Sequence, residues 1–468
     1  MIWTPDPQPS PAVHSPRHLT VIRPGPFLKQ TAMTARTAPR RLDACAEDFE
    51  ASFAELLTAK RETAVDVNND VAAIIAEVQA KGDDAVIAYT NKFDRLTLEG
   101  PEDLRIPQAR LDAAAAQVPS ETLEALKLAA DRIEAFHARQ MPQSMSFTDE
   151  AGVELGHRWS AVDAAGLYVP GGTAAYPSSV LMNAIPARVA GVARVVMVVP
   201  TPDGVENPLV LAAAKLAGVT EVYRIGGAQA VAALAHGTDT IAPVDKIVGP
   251  GNAYVAAAKR QVFGTVGIDM IAGPSEILVV ADGENDPAWI AADLLSQAEH
   301  DPSSQSILIT DDAAFADEVA KAVASQLQQL SRQDTATASW HDFGAIITVP
   351  SLADAVPLVD RLAPEHLELA VTDPDALADR IRHAGAIFLG RYTPEAVGDY
   401  VAGTNHVLPT ARSARFSSGL SVLDFMKRTS LVRCDADSLG RIGPAAVALA
   451  DAEGLEAHGR SVSVRLNR

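Results

Sequence analysis

From Leu42 onward the apolar positions recur with helical spacing. Phe49, Phe53, Leu56 and Leu57 share one face, then Val67, Val71, Ile74, Ile75 and Val78 share the next, which Lys81-Gly82 brings to an end. A further helix is expected over 120–140, with Ser120 as its N-cap and Leu123, Leu126, Ile133 and Phe136 turned inward. Stripes of this kind read as core. Near Gly166 the texture changes to short β-branched runs alternating with helices: 193–200, the Ala/Leu-rich 209–217, 222–225, helix 228–236, 246–248 and helix 252–262. A second such run starts after Ser275 with 277–281, 306–310, helix 313–330, 345–349 and 386–389. Alternation of apolar strands with helices predicts parallel sheets joined by crossover helices. The expected fold class is therefore α/β, with two side-by-side Rossmann-like parallel-sheet units.

The ends of the chain differ in kind. Residues 1–41 carry seven prolines before Phe27 and a single acid, Asp6. Such a stretch has no apolar spacing with which to pack and reads as a disordered extension. It has neither the apolar core of a secretory signal nor the regularity of an amphipathic transit helix, and Met33 offers an alternative start. After Ala411 the chain becomes polar and rich in Arg and Ser; a helix over 440–452 and a short final strand over 461–466 are expected. The expected organisation is thus a 1–41 extension, a mainly helical 42–165 region, a 166–274 unit, a 275–419 unit and a 420–468 tail. That tail is too small to fold alone and must dock on something.

At 468 residues there is apolar surface for more than one core. The formal charge of -20, with no sustained basic run, argues against a nucleic-acid surface. No stretch reaches the roughly 18 consecutive apolar residues of a membrane helix. Cys45 and Cys434 give neither a disulfide framework nor a Cys-rich metal pattern, which fits a reducing, cytoplasmic setting. Any metal must therefore use His, carboxylate and amide ligands.

Ser296-Gln-Ala-Glu-His-Asp301 places Gln297 and His300 three apart, on one face if the segment is helical. An imidazole and an amide oxygen suit a zinc- or manganese-like ion if other ligands join them. Taken alone, the motif is equally a helix end where Asp301 and Pro302 begin a loop. Ala363-Pro-Glu-His-Leu-Glu368 sets Glu365 beside His366, a base for an alcohol proton next to a carboxylate able to activate water. Asp399 follows a glycine, and His458 sits in the tail; with Gln297 and His300 they would offer two nitrogens and two oxygens to one ion.

Gly166-Leu-Tyr-Val-Pro-Gly-Gly172, Gly226-Gly-Ala-Gln229 and Gly249-Pro-Gly-Asn252 each fall at the carboxyl end of an expected strand. Open α/β sheets bind ligands at that edge, and glycines let the backbone approach an anion there. Any one loop is also explained as a tight turn. Converging on one edge, the three favour a nucleotide pocket marked by Tyr168, Gln229 and Asn252. Composition and spacing stop at a metal-dependent, nucleotide-linked α/β enzyme.

Longer motifs carry a resemblance to the histidinol dehydrogenase family from about Leu42 to the C-terminus. They are Gly249-Pro-Gly-Asn252, Ile268-Asp-Met-Ile-Ala-Gly-Pro-Ser-Glu276, Gln297-Ala-Glu-His-Asp301, Ala363-Pro-Glu-His-Leu-Glu368, Gly403-Thr-Asn-His-Val-Leu-Pro409, Ala414-Arg-Phe-Ser-Ser-Gly-Leu420 and Glu453-Gly-Leu-Glu-Ala-His458. The resemblance implies a homodimer with shared active sites and one zinc ion per subunit. It implies oxidation of L-histidinol through L-histidinaldehyde to L-histidine, consuming two NAD. By the same token Gln297, His300, Asp399 and His458 match the zinc ligands and also touch substrate, as do Ser275, His366 and Glu453. Glu365 and His366 match the acid-base pair, and Tyr168, Gln229 and Asn252 the NAD contacts. A relative oxidising another amino or sulfonated alcohol is the nearest alternative, against which Glu453 argues, since a sulfonate would favour a cation. A metallohydrolase would leave the glycine loops unexplained, and a non-catalytic scaffold the convergent polar groups.

Overall fold

Two parallel sheets, each buried on both faces, carry the apolar runs of the sequence. The computed structural model describes residues 38–59, 67–171, 176–271 and 273–466; Gly172 and most of the extension (1–37) lie outside these. One sheet takes its first strand early in the chain, β1 (Arg40–Asp43), while β2 (Met145–Thr148) and β3 (Glu154–Ala161) belong elsewhere. The other parallel sheet comprises β4 (Ala164–Tyr168), β5 (Arg194–Val198), β6 (Glu221–Tyr223), β7 (Lys246–Val248) and β8 (Gly267–Ile268), in the spatial order β6-β5-β4-β7-β8. Next along the chain come β9 (Glu276–Ala281), β10 (Gln305–Thr310), β11 (Ala345–Thr348), β12 (His366–Ala370) and β13 (Ala386–Leu389). With β1 they form a six-stranded sheet ordered β1-β11-β10-β9-β12-β13, every pairing parallel.

Alternate residues of each strand feed opposite cores. In β4, Ala165 and Leu167 face one cluster while Ala164 and Tyr168 face the other; in β9, Leu278 and Val280 oppose Ile277 and Val279. The α/β class with two parallel-sheet units is thus what the chain adopts, because helices cover both faces and leave no polar side to the strands.

Several local expectations need correction. Arg40, Arg41 and Leu42 belong to neither an extension nor a helix: they pair in register with Ala345, Ile346 and Ile347. So short an edge strand, half polar, has no periodicity of its own to announce it. Ser120 is the first helical residue of Ser120–Ala138 rather than its cap, and the cap, Pro119, makes no side-chain bond. On that helix Phe136 is 39% exposed and His137 fully buried, its Nδ1 2.7 Å from the Ile133 carbonyl. The apolar stripe therefore passes through a histidine that satisfies its own helix backbone. β2 and β3 interrupt a stretch read as mainly helical.

The tail is built differently from the expectation of a final strand. β14 (Met426–Arg433) pairs antiparallel with β3, and β2 completes that sheet. Helix Ala436–Ala452, capped by Asp435, then packs on helix Glu456–Leu466, which occupies the place of the expected strand. Ser461-Val-Ser-Val-Arg-Leu466 alternates like a strand, yet packing against a helix overrides β propensity here. Much of this tail is uncovered: Leu449 is 65% and Val464 53% exposed, and seven of the eight β14 positions are exposed. Among the described residues no helix is long and apolar enough to cross a membrane.

Candidate active site

The site is assembled around the first residue of β9. Glu276 N donates to Glu365 Oε2 at 2.9 Å, and its carbonyl lies 2.9 Å from His366 Nδ1. One main-chain residue thus holds both members of the expected acid-base pair. The bond to Nδ1 fixes that nitrogen as the proton carrier and leaves Nε2 with its lone pair. His366 Nε2 is buried without a hydrogen-bond partner among the described residues, 3.7 Å from Asp399 Oδ1 and 3.7 Å from Glu395 Oε1. The loop before β12 is strained: Ala363 closes helix Leu352–Leu362 at a left-handed φ of 46° immediately before Pro364. Non-glycine residues persist in that region only where surrounding packing enforces it.

Helix Pro287–Ala298 begins with Asp286 accepting from Ala288 N and a proline in its first turn, and it buries Ile290, Leu294 and Leu295. That orientation carries Gln297, fully buried, in its last turn. His300 lies just past the helix end, where its N–H caps the Gln297 carbonyl at 3.2 Å and its Nδ1 is 3.2 Å from Gln297 Nε2. Gln297 Oε1 is buried with no hydrogen-bond partner among the described residues. Helix Glu395–Tyr400 then lies over β12, with Gly398 touching β13: a Cβ there would sit 2.4 Å from Phe388 Cε1. The glycine before Asp399 therefore permits the close approach that delivers the carboxylate.

Electrostatically this is a crowded acidic pocket. Burial pushes the Glu365 carboxyl well up; the Glu276 N–H bond opposes that, and the carboxylates of Glu276, Asp399 and Glu395 add to it. Burial and neighbouring Glu395 raise Asp399 to about 9. His406, whose Nδ1 lies 3.0 Å from the Asp399 carbonyl, is lowered to about 4 by burial. Like charges held this close in low dielectric call for a cation. The residues present fit one: His366, Glu395 and Asp399 offer ligand atoms all within 4.8 Å of one another, and among the described residues the buried Glu395 Oε1 has no hydrogen-bond partner. Only Asp399 is common to this compact group and to the set expected from sequence. Glu395 was missed, although its spacing of one helical turn before Asp399 is a usable signal.

Ser275, His300, Glu365, His366, Asp399 and His406 line one side of a cleft of about 1210 Å³, and Pro170, Gly249, Pro250, Gly251 and Asn252 line the other. Tyr168 and Gln229 are buried behind those loops. Tyr168 ends β4, its hydroxyl accepting from Gly227 N at 3.0 Å and raised to about 12 by burial. Gln229 is 2% exposed, and its Oε1 has no hydrogen-bond partner among the described residues. Asn252 also serves as an N-cap, accepting from Tyr254 N at 3.1 Å and Val255 N at 3.2 Å. Glu453 and His458 are exposed on the helical pair of the tail and are not among the described residues lining the cleft.

The comparisons with known proteins agree with one another. The family model described as histidinol dehydrogenase matches residues 57–466. The histidinol dehydrogenase of Rhodospirillum rubrum is 71% identical over 92% of this chain and 99% of its own length. That of Bradyrhizobium diazoefficiens is 65% identical over 92% of this chain and 99% of its own. Among solved structures, histidinol dehydrogenase from Elizabethkingia anophelis superposes with a TM-score of 0.87 at 38% identity, covering 92% of this chain and 98% of that one. On a match that spans both parallel sheets, the cleft between them and the tail, the chain belongs to the histidinol dehydrogenase family.

Proposed function

We propose that this chain is a cytoplasmic, zinc-dependent, NAD-linked enzyme that oxidises L-histidinol through L-histidinaldehyde to L-histidine in two steps at one site. The observation that carries the reading is the cleft itself. The poised His366, the buried Glu365 and the carboxylate of Asp399 stand on one wall, opposite glycine loops at a sheet edge suited to a dinucleotide. Gln297, His300 and Asp399, with His458 of the partner subunit, are the proposed zinc ligands. Tyr168, Gln229 and Asn252 are the proposed NAD contacts. When bound, zinc supplies an anchor for the two nitrogen donors of the substrate, and NAD supplies the hydride acceptor.

The chain's own residues supply the rest. His366 Nε2, free because Nδ1 is committed to the Glu276 carbonyl, takes the hydroxyl proton of the alcohol and later that of the gem-diol. Glu365, oriented by Glu276 N, draws a proton from the water that adds to the aldehyde. Ser275 lies on the cleft wall beside them, and Glu453 of the partner subunit pairs with the substrate amine. Holding the aldehyde between steps keeps a reactive carbonyl from solvent.

The uncovered tail supports the homodimer in this reading. A β14 strand and helical pair with exposed Leu449, Leu455 and Val464 gain a buried face by docking on a second copy, which would bring Glu453 and His458 to the partner's cleft. The test is NAD reduction with L-histidinol as sole substrate, with and without a chelator. Two NAD reduced per L-histidinol, abolished by chelation and restored by zinc, is expected; a single NAD per substrate overturns the two-step reading, and indifference to chelation overturns the metal.

A further inference from the structure

Lys259 and Asp269 form an ion pair whose side chains are only 3% and 1% exposed. Lys259 stands on helix Ala253–Val262, and Asp269 directly follows β8. Among the described residues the side chain of each makes one more bond, and both of these go to the same residue. Asp269 Oδ2 accepts from Gly249 N at 2.8 Å, and Lys259 Nζ donates to the Gly249 carbonyl at 3.0 Å. Gly249 itself has a φ of +109°, and a Cβ there would lie 2.1 Å from the Tyr168 carbonyl oxygen. The peptide groups of this one residue are therefore held from both sides, against the end of β4.

The geometry closes a ring. From Gly249 the chain runs through Pro250 and Gly251, which line the cleft, to Asn252, which caps the helix bearing Lys259; Lys259 returns to Gly249. A buried ion pair is a poor device for stability alone, because apolar side chains of similar volume fill such a place as well. Its distinctive product here is a fixed Gly249.

We propose that Lys259 and Asp269 are positioning residues for the cofactor. By clamping Gly249 they hold the Gly249–Asn252 loop at the spacing from β4 at which NAD binds. The inference rests on the reading that NAD binds at the carboxyl edge of the sheet containing β4 and β7. Neither residue touches substrate in this account.

The experiment uses the full chain and three variants: Lys259→Met combined with Asp269→Leu, Asp269→Asn alone, and Gln229→Ala. For each, KM for NAD, KM for L-histidinol, kcat and Tm are measured. The double variant keeps the space filled and removes both bonds to Gly249. It is expected to raise KM for NAD about ten-fold while kcat and KM for L-histidinol stay within about twofold. Asp269→Asn retains an acceptor for Gly249 N but loses the charge that holds Lys259, and a smaller rise of about three-fold is expected. If the double variant does not fold, Asp269→Asn decides. An unchanged KM for NAD in the clamp variants overturns the proposal. So does a parallel rise in both KM values with a fall in Tm, which is the mark of a merely structural pair. Gln229→Ala separates the two levels: if it raises KM for NAD and the clamp variants do not, only the clamp falls. If none of the three moves it, the cofactor reading falls as well.

Discussion

The two parallel sheets present opposite edges to the same cleft. The sheet of β4 and β7 offers its carboxyl edge, through Pro170 and Gly249–Asn252, whereas the sheet of β9 and β12 offers its amino edge, through Ser275, Glu365 and His366. The helices obey the same inversion. Gly227–His236 and Ala253–Val262 begin at the first edge, while Pro287–Ala298 and Leu352–Leu362 end at the second. Helix N-termini carry partial positive charge and favour anions; C-termini carry partial negative charge and favour cations. One wall thus favours an anionic group and the other a cation. The rule that α/β sheets bind ligands at the carboxyl edge predicts only the first.

The carboxyl edge of the second sheet is spent on structure. Asp282, just after β9, is gripped by Arg391 at 2.7 Å and by the Thr372 N–H at 2.8 Å, and Asn285 Nδ2 covers the Ala370 carbonyl at 2.6 Å. Burial alone would raise the Asp282 carboxyl; the bonds from Arg391, Thr372 and Glu284 N outweigh it and hold the group below the ordinary carboxylate range.

The sharpest break of the comparison is at the amino edge. His366→Asn should lower kcat by about 10²- to 10⁴-fold, the usual worth of a general base. Glu365→Gln should slow oxidation of L-histidinaldehyde more than that of L-histidinol, because an amide cannot activate water. Equal rates on the aldehyde in variant and parent would remove Glu365 from that role.

A smaller but more discriminating effect concerns the tail. His366→Ala and His458→Ala subunits, each inactive alone, should regain about a quarter of parental activity when dimers exchange at random, because half the dimers are mixed and each mixed dimer has one intact site. A mixture as inactive as its components would place the tail over its own subunit.

Asp282→Asn probes the edge that takes no part. It should leave kcat and both KM values unchanged and cost about 2 kcal/mol, the scale of a hydrogen bond to a charged group, seen as a fall of about 2 °C in Tm. The sign with pH follows from the depressed pKa: the carboxylate's contribution is complete above the ordinary carboxylate range and fades as pH falls through the lowered value, so parent and variant should converge in acid. A gap in Tm that persists undiminished at low pH would show that the charge is not what stabilises this edge. Removing residues 1–32 should change neither Tm nor kcat/KM, since that proline-rich stretch has little apolar surface to bury; a drop of several degrees would give it a packing role.

Hydrophobic periodicity alone determined most of the longer parallel strands and most helices, because a strand buried on both faces must be apolar throughout and a covering helix must be apolar on one side, but it did not announce β8 or β12. Motif chemistry likewise made Gln297, His300, Glu365, His366 and Asp399 legible as candidates. It was silent on Glu276, whose contribution to Glu365 and His366 is made by main-chain groups that every residue possesses. Strand β1 and the last helix were misread because each takes its form from a neighbour, β11 in one case and helix Ala436–Ala452 in the other. The sense in which each sheet meets the cleft was decided by tertiary structure alone. Local sequence sets what a strand or helix is, but which end of it faces a distant partner depends on how whole units pack, and no residue encodes that by itself.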